Sequence, residues 1–497
     1  MQGPCWKWCE VGGASASSIG GGAGKRPTFP ANFLSNQEQS MKVTKSAIAI
    51  AVLMLASAAA QADSSGNNVT VGQSGSFNSA TVQQTATNGD TVSITQSALG
   101  DSTQYGFVAN VTTQGGSGDT TAIQQFSGWA EPYSSVNVSQ TGTSHEKNYV
   151  NQFGGGDFSA NITQTTSAYT GGARYDVNTI NQYSYIDSAS ITQQGGGWNT
   201  VTINQGSPSQ SAIGNRATVT QTDTVGNTVG ITQTGNGGTA NVQTTWGGGN
   251  TTSITQTGGT TNANVSQFVE SGDKVTTTQS GTATASVTSQ FGANNQTTIA
   301  QSGGVNSNSA TVNQFVAVSD TTSITQSADG NKATVNQTFE VGDTATIKQT
   351  AASNDATITQ QFGSGNSAAI TQTAASNKAT ILQDGSVGST ASVTQSSADN
   401  QANVTQSASN SLVKVNQTLS IGNYANASQT GADDVLNLAQ SGADNIIDAT
   451  QVSGKGNQGF VTQLGFNNNA TLLQQGNGNY ASINQSGFNN TASIKQH

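Results

Sequence analysis

The sequence predicts an all-β chain: a β-solenoid of stacked strand-turn-strand-turn repeats, cross-β-like, with inward ladders of Gln and Asn. Three observations predict it. From Gln73 onward a Gln returns every eleven or twelve residues with few lapses. The residues six, four and two positions before each Gln are commonly Asn or Asp, then Ala, then Val, Ile or Leu. Asn331-Ala333-Val335-Gln337, Asn377-Ala379-Ile381-Gln383 and Asn468-Ala470-Leu472-Gln474 are examples. Between these runs lie segments rich in Gly, Asn, Asp and Ser, which form turns. An apolar alternation of period two marks a strand with one face inward.

Composition explains why repetition is needed. Of 497 residues only 33% are hydrophobic and 8% charged, and 59 are Gly. Such a chain cannot bury a conventional apolar core. It also has only five Pro, unlike most disordered chains. Order must come from stacking one repeat on the next.

Taken in order along the chain, residues 1–40 precede a secretory signal and are expected to be an untranslated extension, with Met41 as the true start. Both cysteines, Cys5 and Cys9, lie there, so neither disulfide nor thiolate chemistry is expected in the mature chain. The segment Gly20–Arg26 resembles a phosphate loop only superficially, with Ile19 and Arg26 where that motif needs Gly and a hydroxyl residue. Residues 41–62 read as a signal peptide. Lys42 and Lys45 precede a short apolar run, and Ala60-Gln61-Ala62 is a small-x-small site for cleavage after Ala62. The mature chain is expected to be secreted, with no membrane span. Removing residues 1–62 takes away five basic and two acidic side chains, leaving ten against twenty-three and a net charge of about −13. Nucleic acid is excluded as a partner, because little basic surface remains to displace counterions from phosphate.

Residues 63–72 form a short mature N-terminus, residues 73–250 a less regular set of repeats, and residues 251–497 a regular set. Between residues 97 and 250 the Gln spacing stretches, Gln114 lacks the inward pattern before it, and aromatics gather: Trp129, Tyr133, Tyr149, Tyr169, Tyr175, Tyr183, Tyr185, Trp198 and Trp246. These places read as longer turns, with the rings covering them locally. In the regular part the ladder includes Gln337, Gln349, Gln360, Gln372, Gln383, Gln463, Gln474, Gln485 and Gln496. Two strands and two turns make a repeat of about 22 or 23 residues, in the range of solenoids. Roughly 36 strands in about 18 repeats, at about 4.8 Å per rung, give a column about 85 Å tall. An inward amide without a partner would cost roughly 1–3 kcal/mol. Stacked over an identical amide it is satisfied, and a one-residue slip would turn every Gln outward.

Two runs carry a family resemblance. Gln463-x-Gly465-x-x-Asn468-x-Ala470-x3-Gln474 and Gln485-x-Gly487-x-x-Asn490-x-Ala492-x3-Gln496, with Asn479 and Ala481 filling the same places before Gln485, resemble the curlin repeat of curli subunits. The resemblance implies a secreted bacterial β-solenoid that polymerises into extracellular amyloid fibres of the cell surface and biofilm matrix. It also implies export through a dedicated outer-membrane channel, and other curlin-like subunits or a nucleator as partners. The chain departs from that family in having several times more repeats and only a short segment before the first of them.

Self-association into fibres is therefore the leading expectation. The chain stops one residue past a strand, so its last rung is expected to expose a bare row of backbone groups, a template for another copy. Asp320, Asp329, Asp343, Asp355 and Asp399 read as turn formers, or as charges that slow stacking. The alternative is a monomeric surface- or ice-binding solenoid or adhesin, using T-x-T pairs such as Thr218 with Thr220 and Thr357 with Thr359. Lys332, Asn336, Lys348, Lys378 and Tyr480 would interrupt such an array. No catalytic residue, cofactor or metal ligand is expected: His145 and His497 are the only histidines, the acids are scattered, and His145 beside Glu146 reads as a solvated turn.

Overall fold

A computed structural model describes residues 65–75, 78–98, 106–127, 134–154, 157–165, 175–183, 186–206 and 213–497. The expected extension and signal peptide, with Cys5 and Cys9, lie outside the described residues, as do Trp129, Tyr133, Tyr169 and Tyr185. The described residues form 36 strands, from β1 (Asn68–Ser74) to β36 (Thr491–Gln496), and no helix. Odd-numbered strands pair only with odd-numbered ones and even with even, always in parallel, giving two 18-stranded sheets. Each coil of the solenoid is one strand from each sheet plus two turns.

Register follows the inward pattern. Val335 pairs with Ile358 and then Ile381, and Gln337 with Gln360 and then Gln383. The turns stack too: Val225, Gly248, Ser271, Ala293, Val318, Val341, Ser364 and Val387 form a row of single parallel bridges from coil to coil. Across the segments around residues 99–105, 128–133 and 166–174, the flanking strands remain in register. Ala109 pairs with Val136 and Val136 with Ala160.

The core between the sheets is one apolar layer, filled unequally. Even strands mostly place Ala at the outer inward position, as at Ala333, Ala356 and Ala379, all essentially buried. Odd strands more often place Val, Thr or Asn there, as at Val201, Thr322 and Asn178, but carry Ala at Ala345, Ala368, Ala391 and Ala481. The expected Ala is thus nearly constant on the even sheet and intermittent on the odd one. Gly459 is smaller still. A Cβ there would lie 2.6 Å from Leu472 Cδ2 and 2.8 Å from Leu436 Cδ2, so two leucines occupy its volume.

Packing this tight predicts a measurable cost for added volume. Ala356→Leu should destabilise its coil by about 1–3 kcal/mol through overpacking. The check is amide exchange in β24 (Asp355–Gln361) and its neighbours β22 (Lys332–Thr338) and β26 (Lys378–Asp384), which should speed up while distant coils are unaffected.

Candidate assembly site: the amide ladders and the turn spine

On the odd sheet one ladder of inward Gln runs through all eighteen strands without a gap. It starts at Gln73, whose Nε2 donates to Gln96 Oε1 at 2.6 Å. It passes through Gln326, Gln349 and Gln372, each linked at 2.9 Å. It reaches Gln463, which donates to Gln485 at 2.9 Å. Every one of these bonds runs the same way, from the amide nitrogen of one coil to the amide oxygen of the next toward the C-terminus. From Gln96 onward the second hydrogen of Nε2 is used across the coil: Gln349 Nε2 also donates to the Lys332 carbonyl oxygen at 3.0 Å.

The even sheet carries a second ladder. Gln337 donates to Gln360 at 3.1 Å, Gln360 to Gln383 at 2.9 Å, and Gln474 to Gln496 at 2.9 Å. Consecutive glutamines of the sequence therefore alternate between two ladders. This second ladder is interrupted at Thr113, Thr244 and Ser289, which occupy the inward slot. The neighbouring Gln114, Gln243 and Gln290 sit one position beyond or before the slot and face outward. The Gln above each gap loses its ladder donor, and a Thr from the odd sheet replaces it. Thr121 Oγ1 donates to Gln140 at 3.1 Å, Thr252 to Gln267 at 3.2 Å, and Thr297 to Gln314 at 3.2 Å. Below the gaps, Gln84, Gln221 and Gln267 keep buried Nε2 groups with no hydrogen-bond partner. Sequence reading missed these threonines. The available signal was Thr, instead of Val or Ala, at the outer inward position of the strand opposite.

A third stack lies at the turn preceding each odd strand. The side-chain oxygen of one turn residue accepts the backbone N–H of its counterpart in the next coil. Asp320 Oδ1 accepts from Asp343 N–H at 2.9 Å, and Asp343 Oδ1 from Asn366 N–H at 2.8 Å. Near the end of the chain, Asn457 Oδ1 accepts from Asn479 N–H at 3.0 Å. Even turns repeat the device: Asn445 serves Asn468 and Asn468 serves Asn490, both at 3.1 Å. Ala470 and Ala481 are buried beside these stacks, while Ala492 of β36 is only partly buried.

The spine carries acids in unexpected surroundings. Asp320 and Asp343 are fully buried, so they are neither simple surface turn formers nor solvent-exposed charges. Asp329 is half-buried and accepts from the Gly304 and Val305 N–H groups, which hold its carboxyl below the usual range. Asp355 lies at the start of a strand, half-buried on its outer side, and Asp399 lies in an exposed turn. His145 is an exposed turn residue, but Glu146 beside it is buried and belongs to the spine.

Glu270 and Glu340 enter the same layer from one residue position of the turn. Glu340 Oε2 accepts from Gly363 N–H at 3.0 Å, and Glu270 Oε2 from Gly292 N–H at 3.0 Å. The remaining oxygen of each is buried with no partner. Desolvation, and then the facing Asp343, push the Glu340 carboxyl up to about 9. Desolvation and Asp273 do the same for Glu270, and desolvation and Asp176 for Glu146, both up to about 9. Asp320 rises to about 7, through burial first and the charge of Asp343 second. The ion pair among the described residues is Lys455 with Asp433 at 3.0 Å, on the surface. Among those residues no group of three or more His, Cys, Asp or Glu could hold a metal ion, and no helix is long and apolar enough to cross a membrane.

The arrangement holds each coil to the next by three kinds of bond: backbone pairing, amide to amide, and turn carbonyl to backbone N–H. It presents no constellation for covalent chemistry, and its chemical capacity is directional, repeated hydrogen bonding. A family model, the curlin associated repeat, matches residues 465–497. No curated protein matches the chain.

Two outcomes follow. Gln349→Leu removes the acceptor of Gln326 and the donor of Gln372, so it should cost roughly 1–3 kcal/mol per orphaned group. Gln290→Leu, outside the ladder, should stay within about 0.5 kcal/mol. Urea unfolding of the two variants measures the difference.

The second outcome concerns pH. Folding raises these carboxyls above their unfolded values, so the folded chain holds protons that the unfolded chain releases. The stability they contribute is complete below the ordinary carboxyl range and is lost as pH rises toward about 9. Each such proton weakens the folding equilibrium by at most about tenfold per pH unit. The urea midpoint should fall from pH 5 to pH 9, and fall less in the double variant Glu270→Gln, Glu340→Gln. A midpoint that rises with pH contradicts this assignment.

Proposed function

We propose that this chain, which carries curlin repeats, is a secreted structural subunit that joins end to end into extracellular curli-like fibres for cell adhesion and biofilm matrix. The observation that carries the reading is the unbroken odd-sheet ladder. Each coil holds its successor with the same donors and acceptors, so a further coil can be supplied by another molecule. The coil of β35 (Tyr480–Phe488) and β36 presents Gln485 and Gln496 in the same register as every coil before it. Their Nε2 groups already make the bond across the coil, to the Asn469 and Tyr480 carbonyl oxygens. In earlier coils the other N–H of the ladder Gln binds the amide oxygen of the next coil, the bond that a further copy would receive in this reading. Head-to-tail addition with little rotation does not close on itself, and so gives filaments.

In this reading the partners are other copies of the chain, with curlin-like subunits or a nucleator and an outer-membrane export channel alongside. Cleavage after Ala62 would release a chain without a hydrophobic anchor. The role is structural and not enzymatic.

One observation favours a second reading, a monomeric surface- or ice-binding solenoid. Lys332, Asn336 and Lys378 do interrupt the face that carries both quoted T-x-T pairs, since all lie on even strands, but a second hydroxyl array lies on the odd sheet. The outer face of the odd sheet carries Thr251, Ser253 and Thr255, then Thr321, Ser323 and Thr325, then Thr390, Ser392 and Thr394. Lys274 and Lys348 still break it, and Tyr480 lies on this face near its end. A flat row of hydroxyls and methyls can order water, but it gives no reason for the odd-sheet ladder to run uninterrupted.

The deciding experiment uses mature chain from residue 63 at high concentration. Filaments with a meridional reflection at about 4.7–4.8 Å are expected. Monomer that persists for days, with thermal hysteresis, would instead favour the second reading.

A further inference from the structure

At the corner where even strands turn into odd ones, aromatic rings stack on the outside of the column. Trp246, Phe268, Phe291, Phe315, Phe339 and Phe362 form a continuous row, with successive ring centroids 5.3–5.8 Å apart. Most of these rings face solvent: Phe339 is 46% exposed and Phe362 60%. Beside the ridge on the same turns runs the row of bridged residues from Gly248 through Ala293 to Val341 and Ser364, all small or aliphatic. The surface is thus a ridge next to a furrow.

The backbone under the ridge is costly. Trp246, Phe291, Phe339 and Phe362 all have left-handed φ, between 50° and 59°. Bulky side chains avoid this region, and Gly enters it freely. Gly195 and Gly385 fill the equivalent turn position in other coils, with φ of 68° and 63°. Four aromatics therefore stand where the fold itself would accept Gly. In two coils of the same turn length Val269 and Val316 take the left-handed position, and Phe268 and Phe315, one residue earlier, keep the row intact.

We propose that the ridge from Trp246 to Phe362 is a lateral interface at which two copies of this chain pair side by side. Two features select a second copy as the occupant. The first is area. Six rings exposing on the order of 100 Å² each give about 600 Å² per partner, and two such faces reach the roughly 1,200 Å² at which specific interfaces begin. The second is period. The rings repeat once per coil, and a second column has the same repeat, so every ring meets an equivalent furrow residue without strain. A two-fold axis makes the contact self-complementary, ridge into furrow on both copies. Pairing of this kind closes after two columns, unlike end-to-end addition, and it does not require that addition.

The test is the triple variant Phe291→Gly, Phe339→Gly, Phe362→Gly, which relieves three left-handed residues and leaves both ladders untouched. Sedimentation of freshly prepared soluble mature chain reads pairing directly, and electron microscopy of any filaments reads their width. Wild-type chain should sediment as a dimer or form filaments two columns wide. The variant should be monomeric, or form filaments one column wide, with unchanged circular dichroism and at least a tenfold weaker dimerisation constant. Equal width and equal association for the two proteins would overturn the proposal. Wild-type chain that stays unpaired but binds lipid vesicles through the ridge would overturn it too, making the occupant a membrane. Wild-type chain that pairs but forms no filaments, with pairing lost in the variant, would support this proposal and overturn the end-to-end reading alone.

Discussion

The structure depends on one repeated interaction: a buried side-chain amide donating to the identical amide one coil above. In most proteins a buried Gln is a liability, since it needs several partners and the interior offers few. Here strand spacing supplies them automatically. A translation of one rung brings Nε2 of Gln349 to 2.9 Å from Oε1 of Gln372, and the crossing bond to Lys332 uses the other hydrogen. The amide thus contributes satisfied polar contacts where an apolar side chain would contribute only burial. That is how a chain with 33% hydrophobic residues holds a dry interior.

The two sheets use this interaction with different strictness. The odd-sheet ladder admits no substitution, whereas the even-sheet ladder gives way at Thr113, Thr244 and Ser289. The difference follows from what faces each gap. Thr121, Thr252 and Thr297 can reach across from the odd strands because their positions there accept a residue larger than Ala. No such donor is available in the reverse direction, since the even strands put Ala at that depth. A break in the odd ladder would leave both neighbours orphaned, and none occurs.

Much of this was legible in the sequence, because the period of eleven or twelve and the alternation of period two are both imposed by the same stacking. Gln337, Gln360 and Gln383 needed no structure to be placed inward together. Less legible was which residue fills an inward slot when two candidates adjoin. "VTSQF" and "VNQF" differ by one residue, yet Ser289 is inward in one and Gln314 in the other, because the Val before each fixes the face. Burial of Asp320 and Asp343 was also hidden. Asp is a common turn residue, and only the coil above, whose backbone N–H it serves, makes it an interior one. The aromatic row escaped notice because its members shift by one position relative to the inward slot, although the turns have equal length.

A chain in which every coil can accept the next has a register problem that the ladders alone cannot solve, since a slip by one whole coil preserves every Gln–Gln bond. The irregular residues solve it. Glu270 and Glu340 point up into the turn of the following coil, and each meets a glycine there. A Cβ on Gly292 would sit 3.0 Å from Glu270 Oε2, and one on Gly363 3.2 Å from Glu340 Oε2. Skipping a coil would set Ala317 over Glu270 and Ser386 over Glu340, crowding a buried carboxyl with a Cβ. The same slip would separate Thr252 and Thr297 from the gaps they fill. The departures from the repeat, not the repeat itself, therefore define a single folded column.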